Sequence, residues 1–338
     1  MPDPMRPHFY LLLCLLFSPG LRAEPADGAE LVREVLFLHP SRLASGDAPS
    51  GAVSVNAAWE RGERPDWFVE QQRYGADFVV AGLDIGDRDT VARGLRVLDW
   101  AFARQGPDGD FPGTGDAMHS TSFIVEAGAR AGLALRASGD AEWTTRAVAL
   151  APRVAAAARW MAAPANRDAR RTIVLDPFPH RFWLRGSALL QAHALSPDPA
   201  LESAALDYFR AGLERVSPDG VEPERGGFDV NYQAVGALYL LRALPHVSDA
   251  GLRARLEQKL RVTLAPVLAR IGADGTVDTS DSSRITGETG RSGRPKRVGH
   301  AMLIETLAAA RAALGDEAYL DAARRVAAGR GWLPAGNK

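Results

Sequence analysis

Apolar residues along this chain recur at helical spacing. Beyond residue 23 no strand-like alternation persists, and long stretches rich in Ala, Leu and Arg run between clusters of Gly, Pro and Asp. That pattern is the signature of an all-α protein. It predicts helices near 29–38, 66–83, 88–105, 117–137, 141–163, 182–195, 199–216, 230–244, 249–271, 298–314 and 316–328. Asp140 and Asp198 stand where N-caps belong, and Pro199 suits a first helical turn.

A repeat lies over these helices. The segments QGPDGDFPGTGDAMHSTSFIVEAG (105–128), SPDGVEPERGGFDVNYQAVGALY (217–239) and GADGTVDTSDSSRITG (272–287) follow one plan. A helix ends, Asp-Gly turns the chain, an irregular loop follows, and a new helix begins. The pairs Asp108-Gly109, Asp219-Gly220 and Asp274-Gly275 are 111 and 55 residues apart, two units and one of a helix-pair repeat. A further turn is expected at Pro164-Ala165-Asn166. Helices after the long loops (117–137, 230–244, 298–314) are apolar on most faces. Those between (141–163, 199–216, 249–271) carry a polar stripe. Alternation of buried and half-exposed helices describes an (α/α) toroid, or an incomplete barrel, of about five to six helical hairpins. An open α-solenoid would share the repeats but present a concave face in place of a central cup.

The N-terminus is expected to be an export signal. Arg6 and His8 precede an apolar run from Phe9 to Phe17, and Ser18-Pro19-Gly20 and Leu21-Arg22-Ala23 complete the charged, apolar and small-residue order. Residues 1–23 are therefore read as a signal peptide and 24–338 as a single toroid domain, periplasmic or secreted from a bacterium. The run is too short for a stable membrane anchor, so no membrane association is expected after cleavage. The only cysteine, Cys14, lies inside it, which leaves the mature chain no disulfide and no thiolate metal site. Of the 338 residues, 46% are hydrophobic, and 40 basic side chains face 41 acidic ones. This near-neutral balance gives no field for nucleic acid.

In a toroid, the first turns of the inner helices and the loops before them converge on one cup. Those segments supply Trp67, Gln71, Gln72 and Tyr74, then Asp116, His119, Ser120 and Thr121, and then His180, Arg181, Trp183 and Arg185. They continue with Asp229, Asn231, Tyr232 and Gln233, and end with His300. Before His300 runs RITGETGRSGRPKR (284–297), with Arg284, Glu288, Arg291, Arg294, Lys296 and Arg297, read as a solvated basic loop. Aromatic rings beside amides and hydroxyls suit sugars, and the Arg and His excess suits an anionic one. Several of these residues also fit a plain structural role. Ser120, Thr121 and Asn231 fit helix capping, and His119 and Tyr232 fit a packed interior. His39, His193 and His246 lie at helix ends away from the loop side and are read as structural or surface residues.

The repeated helix pairs with Asp-Gly loops resemble the α/α-toroid superfamilies, which include uronate polysaccharide lyases, inverting glycoside hydrolases, sugar epimerases and terpene cyclases. RQGPDGDF (104–111) is similar to the Gln/aromatic repeat of the cyclases, but their Asp-rich acid motif is missing. His119, Asn231 and Tyr232 look like the His, Asn and Tyr of alginate and glucuronan lyases. The departure is Met118, where several lyase families place Asn beside the His. The resemblance implies β-elimination on an acidic polysaccharide or oligosaccharide. Asn231, Arg185 or a protonated His would neutralise the carboxylate, and Tyr232 and His119 would be base and acid in either order. Substrate-binding roles fall to Trp67, Gln71, Gln72, Tyr74, Asp116, Trp183, Asp229, Gln233 and His300. No metal or organic cofactor is required. Three other readings stand beside it. An inverting hydrolase would use two carboxyls about 6.5–9.5 Å apart, drawn from Asp108, Asp110, Asp116, Glu224 and Asp229. A glycan-binding or solenoid protein would use the aromatics without catalysis. An epimerase would use two histidines such as His119 and His300.

Overall fold

The computed structural model describes residues 28–32, 51–53, 69–114, 116–167, 178–289 and 295–332. The expected signal at 1–23, with Cys14, lies outside the described residues, as do Trp67, Arg291 and Arg294. The regular structure that is described is helical, apart from three isolated bridge pairs. The protein is thus all-α. Its main helices are α1 (Tyr74–Ile85), α2 (Arg88–Phe102), α3 (Ala117–Ala137), α4 (Ala141–Ala162), α5 (His180–Leu195) and α6 (Pro199–Leu213). They continue with α7 (Val230–Ala243), α8 (Ala250–Leu268), the short α9 (Ser283–Gly287), α10 (His300–Leu314) and α11 (Glu317–Gly329). From α2 onward the hydrophobic pattern places the long helices to within a turn. Within the described part of the helix expected over 66–83, one helical turn at 69–71 precedes α1, and α9 adds to the expected helices.

The helix starts follow one chemical rule. Asp87, Asp116, Asp140, Asp198, Asp229, Asp249 and Asp316 each accept a backbone N–H of the helix they open. Each such cap satisfies an orphan donor and contributes about 1 kcal/mol. Asp140 and Asp198 act as the spacing predicts, and Pro199 occupies the first turn of α6.

The helices pair as α1/α2, α3/α4, α5/α6, α7/α8 and α10/α11. First members of successive pairs also pack on one another, in the row α1, α3, α5, α7, α10. These helices are buried on nearly every face, as in α5, where Phe182, Trp183, Leu184, Leu189 and Leu190 are all sealed from solvent. The two ends of the row meet at one side chain. Arg242 of α7 pairs with Glu305 of α10, lies 3.2 Å from Glu126 of α3, and lies 3.8 Å from Asp77 of α1. Arg130 of α3 closes the network on Asp77 at 2.9 Å and Glu126 at 3.1 Å.

The Asp-Gly turns have a structural purpose. Gly109, Gly220 and Gly275 all have positive φ, at 100°, 83° and 80°. Each lies flat on a carbonyl of the second helix of the following pair: Ala156 of α4, Val262 of α8 and Arg325 of α11. A Cβ there would stand 2.6, 2.3 and 1.9 Å from that oxygen, so only glycine fits. Glutamines lock the arrangement. Gln105 donates to Gly109 O and Arg153 O, and Gln233 donates to Gly220 O and Thr263 O. Among the described residues no helix is long and apolar enough to cross a membrane.

Candidate functional site

The same caps that start the helices present the site. Asp116 accepts the backbone N–H of His119 at 3.0 Å, and Asp229 accepts that of Tyr232 at 3.0 Å. The two rings thus occupy equivalent positions on the first turns of α3 and α7. The start of α5, between them in the row, contributes His180. Its ring centroid stands 4.7 Å from Tyr232 and 6.4 Å from His119. His119 in turn packs at 4.6 Å on Phe123.

A carboxylate orients His180. Glu224 Oε1 lies 2.6 Å from His180 Nδ1, and Glu224 Oε2 accepts from Arg284 at 3.1 Å. Burial pushes the Glu224 carboxyl up, but His180 and Arg284 outweigh burial and hold it below the ordinary range. An ionised Glu224 can only accept, so Nδ1 carries a proton and Nε2 is left for chemistry beyond the dyad.

Asp229 also builds the opposite wall. Its second oxygen accepts the N–H groups of Arg284 and Ile285 at 3.0 and 3.1 Å. Ser283 N donates to Phe228 O at 2.7 Å, and Ser282 Oγ accepts from Val230 N at 3.2 Å. These bonds fasten α9 to the start of α7 and lay the Arg284 guanidinium over the Tyr232 ring, 3.8 Å from its centroid. Lys296 Nζ lies 3.2 Å from the Tyr232 hydroxyl and also pairs with Glu288. Lys296 and Arg284 act against burial to hold the Glu288 carboxyl low. The described part of 284–297 is therefore packed and ion-paired at Arg284, Glu288 and Lys296, in contrast to the solvated loop expected; Arg297 remains exposed.

The remaining candidates differ in what their side chains contact. Asp116 caps α3 and pairs with Arg181 at 2.9 Å. Asn231 Oδ1 accepts from Gly299 N at 2.8 Å, which ties the start of α10 to α7 and brings His300 to that end; the His300 ring meets Trp332 edge-on at 6.3 Å. Tyr74 opens α1 with Arg73 4.8 Å above its ring, and Gln71 is buried nearby.

Others serve the fold. Gln72 is sealed and pairs with both the N–H and the carbonyl of Val53. Gln233 is sealed in the Asp-Gly lock. Trp183 is sealed too, stacked on Phe209 with its indole N–H on Glu222 at 2.9 Å. Arg185 is buried among core side chains, 5.9 Å from the Tyr208 ring. Gln72, Gln233 and Trp183 thus bond within the fold, and Arg185 packs beside Tyr208.

Three features escaped the sequence. The Glu224–His180 pairing joins residues 44 positions apart and leaves no local signal. Arg284 is fixed by backbone donors that no side-chain pattern reports. Phe178 lies between Pro177 and Pro179, a rigid extended signal that could have marked it; three guanidinium groups, of Arg181, Arg225 and Arg284, face its ring at 4.6, 5.5 and 4.7 Å. Among the described residues no group of three or more His, Cys, Asp or Glu side chains is placed to hold a metal ion. No family model, curated protein or solved structure matches this chain.

Proposed function

We propose that the chain is an exported carbohydrate-active enzyme on an (α/α) toroid, and that it cleaves an acidic polysaccharide by β-elimination. Support for the toroid is the row of buried first helices whose two ends, α1 and α10, both reach Arg242. The observation that carries the chemistry is the setting of Tyr232. Its hydroxyl faces Lys296, its ring face lies under Arg284, and His180 packs beside it.

β-Elimination in a uronate needs a base at C5, a cation at the C5 carboxylate, and an acid at the leaving oxygen. Tyr232, whose hydroxyl meets Lys296 and whose ring lies under Arg284, acts as the base that takes the C5 proton. The C5–H electron pair becomes the C4–C5 double bond, and the C4–O bond breaks toward the leaving sugar. The same two cations offset the charge that develops on the carboxylate. A histidine donates the proton to the departing oxygen: His119, or His180 as the imidazolium from Nε2, with Nδ1–H kept on Glu224. Arg284 and Lys296 thus take the neutralising role for which the sequence offered Asn231, Arg185 or a protonated His.

An inverting hydrolase needs one carboxyl kept protonated. Glu224 is instead held ionised by His180 and Arg284, and Asp229 accepts N–H groups on both oxygens. The test is ultraviolet absorbance during incubation with a panel of uronate polysaccharides. Elimination makes a double bond conjugated to the carboxylate, which absorbs. A rise with one polymer is expected; a flat trace with new reducing ends would replace this reading by hydrolysis, and a flat trace with none would leave glycan binding.

A further inference from the structure

Glu288, at the end of α9, gathers more cations than its (i,i+4) pair with Arg284 requires. Its carboxylate takes Arg284 Nε at 3.2 Å on each oxygen, Arg225 Nε at 3.0 Å, and Lys296 Nζ. Three positive side chains converge on one acceptor, Arg284 and Lys296 from the segment that carries Glu288 and Arg225 from a separate turn. We infer that Arg225, Arg284 and Lys296 form a carboxylate-binding subsite, and that Glu288 fills it from within the chain as a stand-in for the carboxylate of an anionic sugar. The choice of a sugar acid as ligand rests on the proposed function; the subsite itself rests on the cation geometry.

The turn that delivers Arg225 supports this independently. Glu224 and Gly227 form an isolated bridge, with Arg225 and Gly226 at its tip. Arg225 has φ of 53° and is the one non-glycine with positive φ among the described residues. A long side chain is disfavoured in that conformation, where Gly or Asn costs less. Backbone strain of this kind gathers at ligand-holding positions. Here it aims a guanidinium at Glu288, while the Arg225 side chain stays 58% exposed and the Glu288 side chain only 14%. The subsite therefore opens to solvent on the Arg225 side.

Its neighbours suit a sugar acid. The Phe178 ring lies against Arg225 and Arg284 and offers an apolar face to a pyranose ring. Tyr232 borders the opposite side through the same Arg284 and Lys296. A carboxylate replacing Glu288 inherits the same donors, and the charge-assisted bonds are exchanged rather than lost. Glu288 then swings toward water. In this arrangement Glu288 weakens binding by competing for the cations.

The experiment measures half-saturation by D-glucuronate, with D-glucose as the neutral control, from ligand-dependent thermal shifts of the full chain. Neither sugar has a glycosidic bond to cleave. Replacement Glu288→Ala is expected to tighten glucuronate binding at least tenfold and to leave the response to glucose unchanged. Replacement Arg225→Ala, at an exposed side chain, is expected to weaken glucuronate binding at least tenfold, and it decides the matter should the Glu288 variant fold poorly. Unchanged or weaker glucuronate binding by a folded Glu288→Ala protein, or unchanged binding by Arg225→Ala, would overturn the subsite. The two ideas fail separately. Tighter glucuronate binding with no polymer cleaved keeps the subsite and removes the lyase; cleavage with an indifferent Glu288→Ala does the reverse.

Discussion

The His180 imidazole and the Glu224 carboxylate, 2.6 Å apart and both buried, form a pair in which the carboxylate fixes the tautomer of the ring. Replacing Glu224 by Gln keeps the shape but lets an amide N–H face Nδ1, which favours the other tautomer. Turnover is expected to fall by about 10²–10⁴-fold, with KM little changed, by analogy to other oriented histidines. Steady-state kinetics separate the two parameters. A rise in KM alone would show that Glu224 binds substrate and does not position His180.

Tyr232 is the expected base, and Tyr232→Phe removes one oxygen from it. The ring still packs against His180 and Arg284, so thermal stability should stay within about 1 kcal/mol of the parent. Turnover on the responding polymer should fall at least a thousandfold, since the phenol does the proton transfer. Activity within tenfold of the parent would move the base to a histidine.

The Asp-Gly turns can be tested without any substrate. Gly275 and Gly315 have nearly the same φ, 80° and 75°, but a Cβ at Gly275 meets the Arg325 carbonyl at 1.9 Å while Gly315 has nothing within 4 Å. Gly315→Ala therefore reports the conformational cost alone, about 1 kcal/mol. Gly275→Ala adds a backbone collision and is expected to cost about 3 kcal/mol or more. Urea unfolding of both variants gives the difference. Equal losses would mean that the loop can lift off α11.

These turns also explain how far the sequence could be read. Helix spans follow from hydrophobic periodicity and the Asp caps, both local properties. The repeat was visible because glycine is forced wherever a loop touches a helix carbonyl, at Gly109, Gly220 and Gly275. Site membership was harder, because a polar residue on a first turn can face either the mouth or the paired helix. Gln233 and Gln72 look like pocket residues in the sequence, yet their amides answer backbone groups of adjoining loops and, for Gln233, of α8. His119 and Tyr232 share one helical phase, set by their N-cap aspartates, and both rings stand beside His180. Arg284 is placed by Asp229, 55 residues away, a relation that only the folded chain makes visible.

Beneath the site, Lys259 of α8 and Glu222 form a buried ion pair, with Lys259 Nζ also 3.9 Å from the Trp183 ring centre. Burial pulls the Lys259 ammonium down from its ordinary range, against the pull of Glu222. Replacing Lys259 by Met leaves the carboxylate buried without its cation and should cost about 3–5 kcal/mol. Adding Glu222→Leu removes that charge and should recover part of the loss, the remainder being the buried Trp183 indole N–H left without its acceptor. Denaturation midpoints of the single and double variants measure it. A double variant no better than the single would mean that the pair fixes loop geometry rather than balancing charge.

The pH dependence of stability has an identifiable source at His246, in the short turn after α7. Burial, and then the nearby charges of Arg136 and His193, push this imidazole down to about 4 from an ordinary 6.5. The folded state therefore refuses a proton that the unfolded chain accepts between those values. Stability is fully present above pH 6.5, is lost progressively as pH falls toward 4, and levels off for this group below that. Glu224, also held low, adds a loss in the same direction only at more acidic pH, below the ordinary carboxylate range. Thermal midpoints at pH 7, 5.5 and 4.5 are expected to decline in the parent. His246→Phe should flatten the decline between 7 and 4.5 whatever it does to the midpoint at pH 7, because a phenyl ring takes no proton in either state. An unchanged slope in that variant would place the titrating group elsewhere.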